Sequence, residues 1–198
     1  GVLVFVDETV VVEVHRIDTT VHVFGTEFDE TLTGGSADEL FIGQGGSDSL
    51  IGNGGDDGFV FDLLDSSVDG GTGIDTLFLE GSIDLTGVTN LNNIEHIDLT
   101  NESSDTLEID ILDLLSFVGD NGLDSNLSNG QKKLVITGDI GDNVILDGTS
   151  LLGLATLPAN GTVPMGEDPL LDGESYYVFT DVGNSLELYV HTDLVTFI

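Results

Sequence analysis

Between Gly25 and Phe78 the chain repeats every nine residues. Leu32, Phe41, Leu50, Phe59, Val68 and Leu77 are apolar at the eighth position of six successive units. Each sits in a short run flanked by polar residues or glycine, the pattern of a brief strand with one inward side chain. The units are GTEFDETLT, GGSADELFI, GQGGSDSLI, GNGGDDGFV, FDLLDSSVD and GGTGIDTLF. The first position is Gly25, Gly34, Gly43, Gly52, Phe61 and Gly70, and the sixth is Glu30, Glu39, Asp48, Asp57, Ser66 and Asp75. One turn and one strand per unit predicts a solenoid of parallel strands, with two units per coil and unit n stacked on unit n+2. Turn 25–30 then faces turn 43–48, turn 34–39 faces 52–57, and turn 52–57 faces 70–75. At the ninth position Ile42, Val60 and Phe78 form an outward row on one sheet, while Thr33, Ile51 and Asp69 form the other. The first row is apolar enough to predict a cover, from the N-terminal strands or the C-terminal region.

Outside the repeat the pattern is less regular. The β-branched runs 2–6 and 9–14, and the alternating run 20–24, read as strands. Further strands are predicted at 83–85, 94–99, 106–109, 134–137, 144–146, 176–180, 186–191 and 194–198, with a hairpin turn at Gly183–Asn184. Residues 110–118 carry apolar side chains at helical spacing, with Asp110 as N-cap and Gly119 as terminator.

Charge changes the picture. There are 37 Asp and Glu residues against three basic ones (Arg16, Lys132 and Lys133), a formal net charge of −34. A compact body so charged repels itself unless cations offset it. Nucleic acid and anionic membrane are poor partners, since no basic patch meets phosphate. The chain has no cysteine, which excludes disulfides and thiolate metal sites. No apolar run approaches the roughly 18 residues of a membrane span. The start at Gly1, without a basic leader, suggests a fragment of a longer protein, monomeric in itself.

The turns carry the chemistry. Glycines allow tight backbone and leave carbonyls bare, and the sixth-position acid adds a hard carboxylate oxygen. Calcium takes six to eight such oxygens. The pattern GGxGxDxUx resembles the calcium-binding RTX (repeats-in-toxin) nonapeptide, which implies an all-β parallel β-roll with calcium ions riveted between stacked turns. By that resemblance, first- and third-position carbonyls of one turn join second- and fourth-position carbonyls of the next and both sixth-position carboxylates. The implied ligands are Gly25, Glu27, Glu30, Gln44, Gly46 and Asp48 for one pair of turns, and Gly43, a first-position residue, is a further candidate. For the second pair they are Gly34, Ser36, Glu39, Asn53, Gly55 and Asp57, and for the third Gly52, Gly54, Asp57, Gly71, Gly73 and Asp75. The pair Asp57 and Asp75 fits best. Phe28 and Ala37 stand where glycine is expected, Glu30 and Glu39 where aspartate is, and Ser66 makes a site against turn 43–48 doubtful. In the second unit an alternative register makes Asp38 the ligand and turns Leu40 inward. Six inward apolar residues are a small core, so the roll is expected to fold on binding calcium, at the affinity of extracellular modules, on the order of 10⁻⁴–10⁻³ M.

The strings VDGGTGIDTLFLEG, NNIEHIDLTN, LVITGDIGDNVIL and YYVFTDVGNSLELYV are similar to the C-terminal ends of giant RTX adhesins. That likeness implies bacterial type I secretion, an uncleaved export signal within the last several tens of residues, with which the apolar ending Leu194–Ile198 is compatible, and a secreted or cell-surface location. It divides the chain into N-terminal strands (1–24), a calcium-binding roll (25–80) and a strand-rich extension with one short helix (81–198). The expected role is a non-catalytic calcium-binding module supporting secretion and adhesion. The alternative is the non-catalytic tail of a secreted hydrolase. No HExxH, GxSxG or cysteine nucleophile is present, and His15, His22, His96 and His191 are scattered. Asp139, Asp142 and Asp147 could hold a further ion, but they lack EF-hand order and a solvated turn is the better reading.

Overall fold

A computed structural model describes residues 21–110, 113, 116–118, 132–146, 159–162, 175–181, 186–191 and 194. The expected strands 2–6 and 9–14, residues 195–198 of the expected strand 194–198, the 183–184 turn and most of the 110–118 helix lie outside those residues.

The fold is all-β, with parallel sheets. Strands β1 (Val21–Phe24), β3 (Glu39–Ile42), β5 (Gly58–Val60) and β7 (Thr76–Phe78) pair in parallel in one sheet. Strands β2 (Thr31–Thr33), β4 (Ser49–Ile51) and β6 (Ser67–Asp69) pair in parallel in a second. The register is the one the repeat dictates: Leu32 opposite Leu50 opposite Val68, and Phe41 opposite Phe59 opposite Leu77. A strand of three residues suffices because each contributes one side chain to the interior and borrows the rest of its core from the coils on either side. Phe41 and Phe59 stack at 4.9 Å between ring centroids. Leu50, Val68 and Leu77 have no exposed surface.

The parallel stack runs on past residue 80. On β7 lies β10 (His96–Asp98), then β12 (Lys132–Thr137), then β16 (Leu186–His191). In the second sheet β9 (Leu91–Asn92) adds to β6. From Thr76 onward a third parallel sheet intervenes, made of β8 (Ile83–Asp84), β11 (Thr106–Ile109) and β13 (Asn143–Leu146). The circuit from β7 to β10 visits three sheets rather than two, and the described strands β10 to β13 alternate between the first and the third. The first sheet ends antiparallel, where β15 (Ser175–Asp181) joins β16 to β14 (Ala159–Thr162). One apolar core holds residues from Phe41 through Ile97, Leu107, Ile136 and Val144 to Leu194. A continuous core makes one cooperative unit. Ile97→Val, between Leu77 and Ile136, is therefore expected to cost about 0.5–1.5 kcal/mol. In a denaturant melt with calcium, the whole transition should shift without a change of slope. A separate early transition would contradict a shared core.

The apolar outer row is present. Phe24, Ile42, Val60 and Phe78 are register partners on successive strands, Phe24 at 45% exposure and the other three half-buried. Of the cover expected from the N-terminal strands or the C-terminal region, the N-terminal strands 2–6 and 9–14 fall on residues outside those described. Among the described residues, no helix is long and apolar enough to cross a membrane.

Candidate metal centre

The turns stack as the repeat spacing predicts, and the contacts are backbone to backbone. A Cβ at Gly46 would lie 2.6 Å from the Phe28 carbonyl carbon, and one at Gly73 would strike the Gly55 carbonyl. Three turns share a conformation. Their second positions (Gln44, Asn53 and Gly71) and fourth positions (Gly46, Gly55 and Gly73) all have positive φ. Glycine adopts it freely, but Phe28 and Ala37 do not, and turns 25–30 and 34–39 lack it at both positions.

Sixth-position acids form a ladder between turns. The amide N–H of Glu30 donates to Asp48 Oδ1 at 2.9 Å, that of Glu39 to Asp57 Oδ1 at 2.9 Å, and that of Asp57 to Asp75 Oδ1 at 2.8 Å. One carboxylate oxygen of each of the three aspartates is thereby spent on the neighbouring turn. The glutamates behave differently. Glu30 reaches back to its own turn, accepting from the Thr26 N–H and hydroxyl. Glu39 accepts from the Gly35 N–H at 3.1 Å. Asp57 and Asp75 are too short for this. Their Oδ2 atoms are buried with no hydrogen-bond partner.

Those oxygens face built cradles. A Cβ at Gly52 would run into both Asp57 Oδ2 and the Gly70 carbonyl oxygen. Beside Gly34 the corresponding pair is Glu39 Oε2 and the Gly52 carbonyl, and beside Gly25 it is Glu30 Oε2 and the Gly43 carbonyl. Beside Gly43 the nearest atoms are those of Asp48, with no carbonyl among them, and the facing turn begins with Phe61 rather than glycine. There the Ser66 hydroxyl and N–H both donate to the Asp48 carbonyl. The side-chain amides of Gln44 and Asn53 donate to the carbonyls of Gly25 and Gly34. Gly71 has no side chain to do the same at Gly52. The turns around Asp57 and Asp75 thus keep most oxygens open, and their donor set suits a hard cation. Among the described residues no three His, Cys, Asp or Glu side chains are arranged to hold a metal alone, so a cation between these turns leans on carbonyls.

Burial without a counter-charge pushes the acids up. Desolvation raises Asp57 to about 6 and Asp75 to about 8, against the pull of their backbone hydrogen bonds. Nearby Glu39 and Asp38 add to the first, and Glu95, Asp57 and Asp56 to the second.

The second unit follows the nine-residue register. Glu39 is buried and Phe41 points inward, while Asp38 is exposed. Asp38 has another task, which sequence reasoning missed: fifth-position acids form a second ladder. Asp29 accepts from the Ser47 N–H, Asp38 from Asp56 and Asp56 from Ile74, at 2.8–2.9 Å. The expected solvated turn at 138–142 needs correction. Asp142 has no exposed surface, and its two oxygens accept the N–H groups of Asp105 at 2.8 Å and Asp139 at 2.6 Å. It ties turn 138–142 to turn 101–105 and has no oxygen left over. Asp147 lies outside the described residues, as does His15. His22 is exposed and packs edge-on to Phe24 at 5.9 Å, whereas His96 bridges Thr76 and Thr137.

No family model matches the chain, and no curated protein does. Among solved structures it is similar to the solution structure of the AlgE6R3 subunit from the Azotobacter vinelandii mannuronan C5-epimerase. The identity is 19%, over 85% of this chain and 74% of that one, with a TM-score of 0.22. A likeness that slight says nothing of this chain's activity.

Proposed function

We propose that the chain is a non-catalytic calcium-binding β-roll, in which ions bound between stacked glycine–aspartate turns hold a polyanion folded. The observation that carries this reading is the pair of buried, unpartnered oxygens on Asp57 and Asp75, one of them facing the Gly70 carbonyl across a space that a methyl group could not share. A buried charge without a partner is costly, and a divalent cation offsets it while using the carbonyls that the glycines expose. The sequence resemblance would add the Gly52, Gly54, Gly71 and Gly73 carbonyls to the two carboxylates of the Asp57–Asp75 pair.

On the sequence resemblance, this module belongs to the C-terminal part of a type I-secreted bacterial RTX adhesin. Calcium then couples folding to location: an ion site of roughly 10⁻⁴–10⁻³ M affinity is empty inside a cell and filled outside it. The module would be exported loose and would set on the cell surface, supporting adhesion there.

Circular dichroism with a calcium titration, after treatment with EGTA, tests the central claim. The β signal is expected to rise as calcium is added and to fall again on chelation, with magnesium a poor substitute because it demands octahedral geometry. A calcium-free preparation that already has the full native spectrum and the same melting temperature would end the proposal.

A further inference from the structure

We infer a further calcium site one turn beyond the nonapeptides, formed by Asp75, the carbonyl of Asn93 and Glu95; it rests on the reading that this edge of the roll binds calcium. Asp75 has no exposed surface. Its Oδ1 accepts the Asp57 N–H, and its Oδ2 has no partner. Beside Gly70, a Cβ would run into that Oδ2 and into the Asn93 carbonyl oxygen. The same pairing of acid and carbonyl stands one coil earlier beside Gly52, where Asp57 Oδ2 meets the Gly70 carbonyl.

Glu95 completes the arrangement. It is 6% exposed, and its Oε2 accepts the Asp75 N–H at 3.0 Å. The acid ladder therefore takes one more step, from Asp75 to Glu95. The sequence conceals this step. Glu95 follows Asp75 by 20 residues where the repeat uses 18, and the turn Asn92–Asn93–Ile94 contains no glycine. Asn93 nevertheless takes a left-handed backbone, with φ 54°, a conformation asparagine tolerates better than most residues. Asp75 Oδ2 and the Asn93 carbonyl oxygen thus lie together beside Gly70, with the Glu95 carboxylate held at the Asp75 amide, the kind of oxygen donors that calcium accepts with flexible geometry.

Equilibrium dialysis of the full chain against calcium alone, for the parent and for Glu95→Gln, tests the site. Glutamine keeps the length of the arm and an oxygen for the Asp75 N–H, and removes the charge. One fewer bound calcium per chain is expected, with the far-ultraviolet spectrum in saturating calcium unchanged. A parent chain that binds no calcium at all would overturn the functional reading together with this site. A parent that binds calcium and a variant that binds the same number with the same affinity would overturn this site alone. If the variant does not fold, anomalous diffraction from parent crystals soaked in terbium decides. A peak between Asp75 Oδ2 and the Asn93 carbonyl supports the site, and a peak at the Gly52 cradle with none at the Gly70 cradle overturns it.

Discussion

In calcium-stripped buffer the chain is expected to grow more stable as the pH is lowered from about 8 to about 5, and in saturating calcium the dependence should reverse. The sign follows from the direction of the shifts. Burial raises Asp75 to about 8 and Asp57 to about 6 from an ordinary 3.8, and Glu95 to about 7 from 4.5. Across that window the folded chain holds protons that the unfolded chain has released. Stability is full below the ordinary carboxylate range and is lost as the pH climbs through the raised values. The charged neighbours of Asp75 are Glu95, Asp57 and Asp56, all acidic, so none supplies a compensating cation. Asp75 alone is worth on the order of a few kcal/mol over the window. Calcium needs these carboxylates deprotonated, so its binding releases protons and gains strength with pH. Thermal melts at both pH values, with and without calcium, check the crossing. A metal-free melting temperature that is flat or rises with pH would contradict it.

Asp75→Asn is expected to split the two states in opposite directions. In the metal-free chain the amide has no charge to bury, and its N–H₂ can donate to the Asn93 carbonyl that faces Asp75 Oδ2. Metal-free stability near neutral pH should rise. With calcium the variant should lose the ions on both sides of Asp75, since its carboxylate lies between the turns of Asp57 and Glu95. Each site held at a hundred times its Kd contributes about 2.7 kcal/mol, so the calcium-induced gain should shrink by roughly 5 kcal/mol for two sites. Chemical denaturation of parent and variant, each with and without calcium, reads this directly. An equal calcium-induced gain in both proteins would sink the assignment of Asp75 as a shared ligand.

The repeat was legible because its code is local. Each turn announces itself by a glycine and an acid five residues apart, and each strand by one apolar residue two further on. Register followed from the unit length alone, which is why Phe41 falls opposite Phe59 and Leu50 opposite Val68. What escaped notice depends on stacking rather than on local pattern. Glu95 is an acid among many until Asp75 is placed beneath it. Asp38 and Asp56 look like spare charges until their carboxylates meet the amide of the next coil. Asp142 reads as a surface turn residue because nothing in its own segment shows that turn 101–105 closes over it. The strands at 83–85, 106–109 and 144–146 were each legible, but their pairing into a third sheet depends on stacking between distant segments and has no local signature.

The two edges of the roll are not equivalent. On one, acids follow without interruption from Glu39 through Asp57 and Asp75 to Glu95. On the other, the chain of acids stops at Asp48, where Phe61 and Ser66 replace the glycine and the aspartate. Tension applied along the coil axis would thus meet a stitched seam on one flank and a gap on the other. Such a body bends open like a book along its weaker margin before its spine gives way.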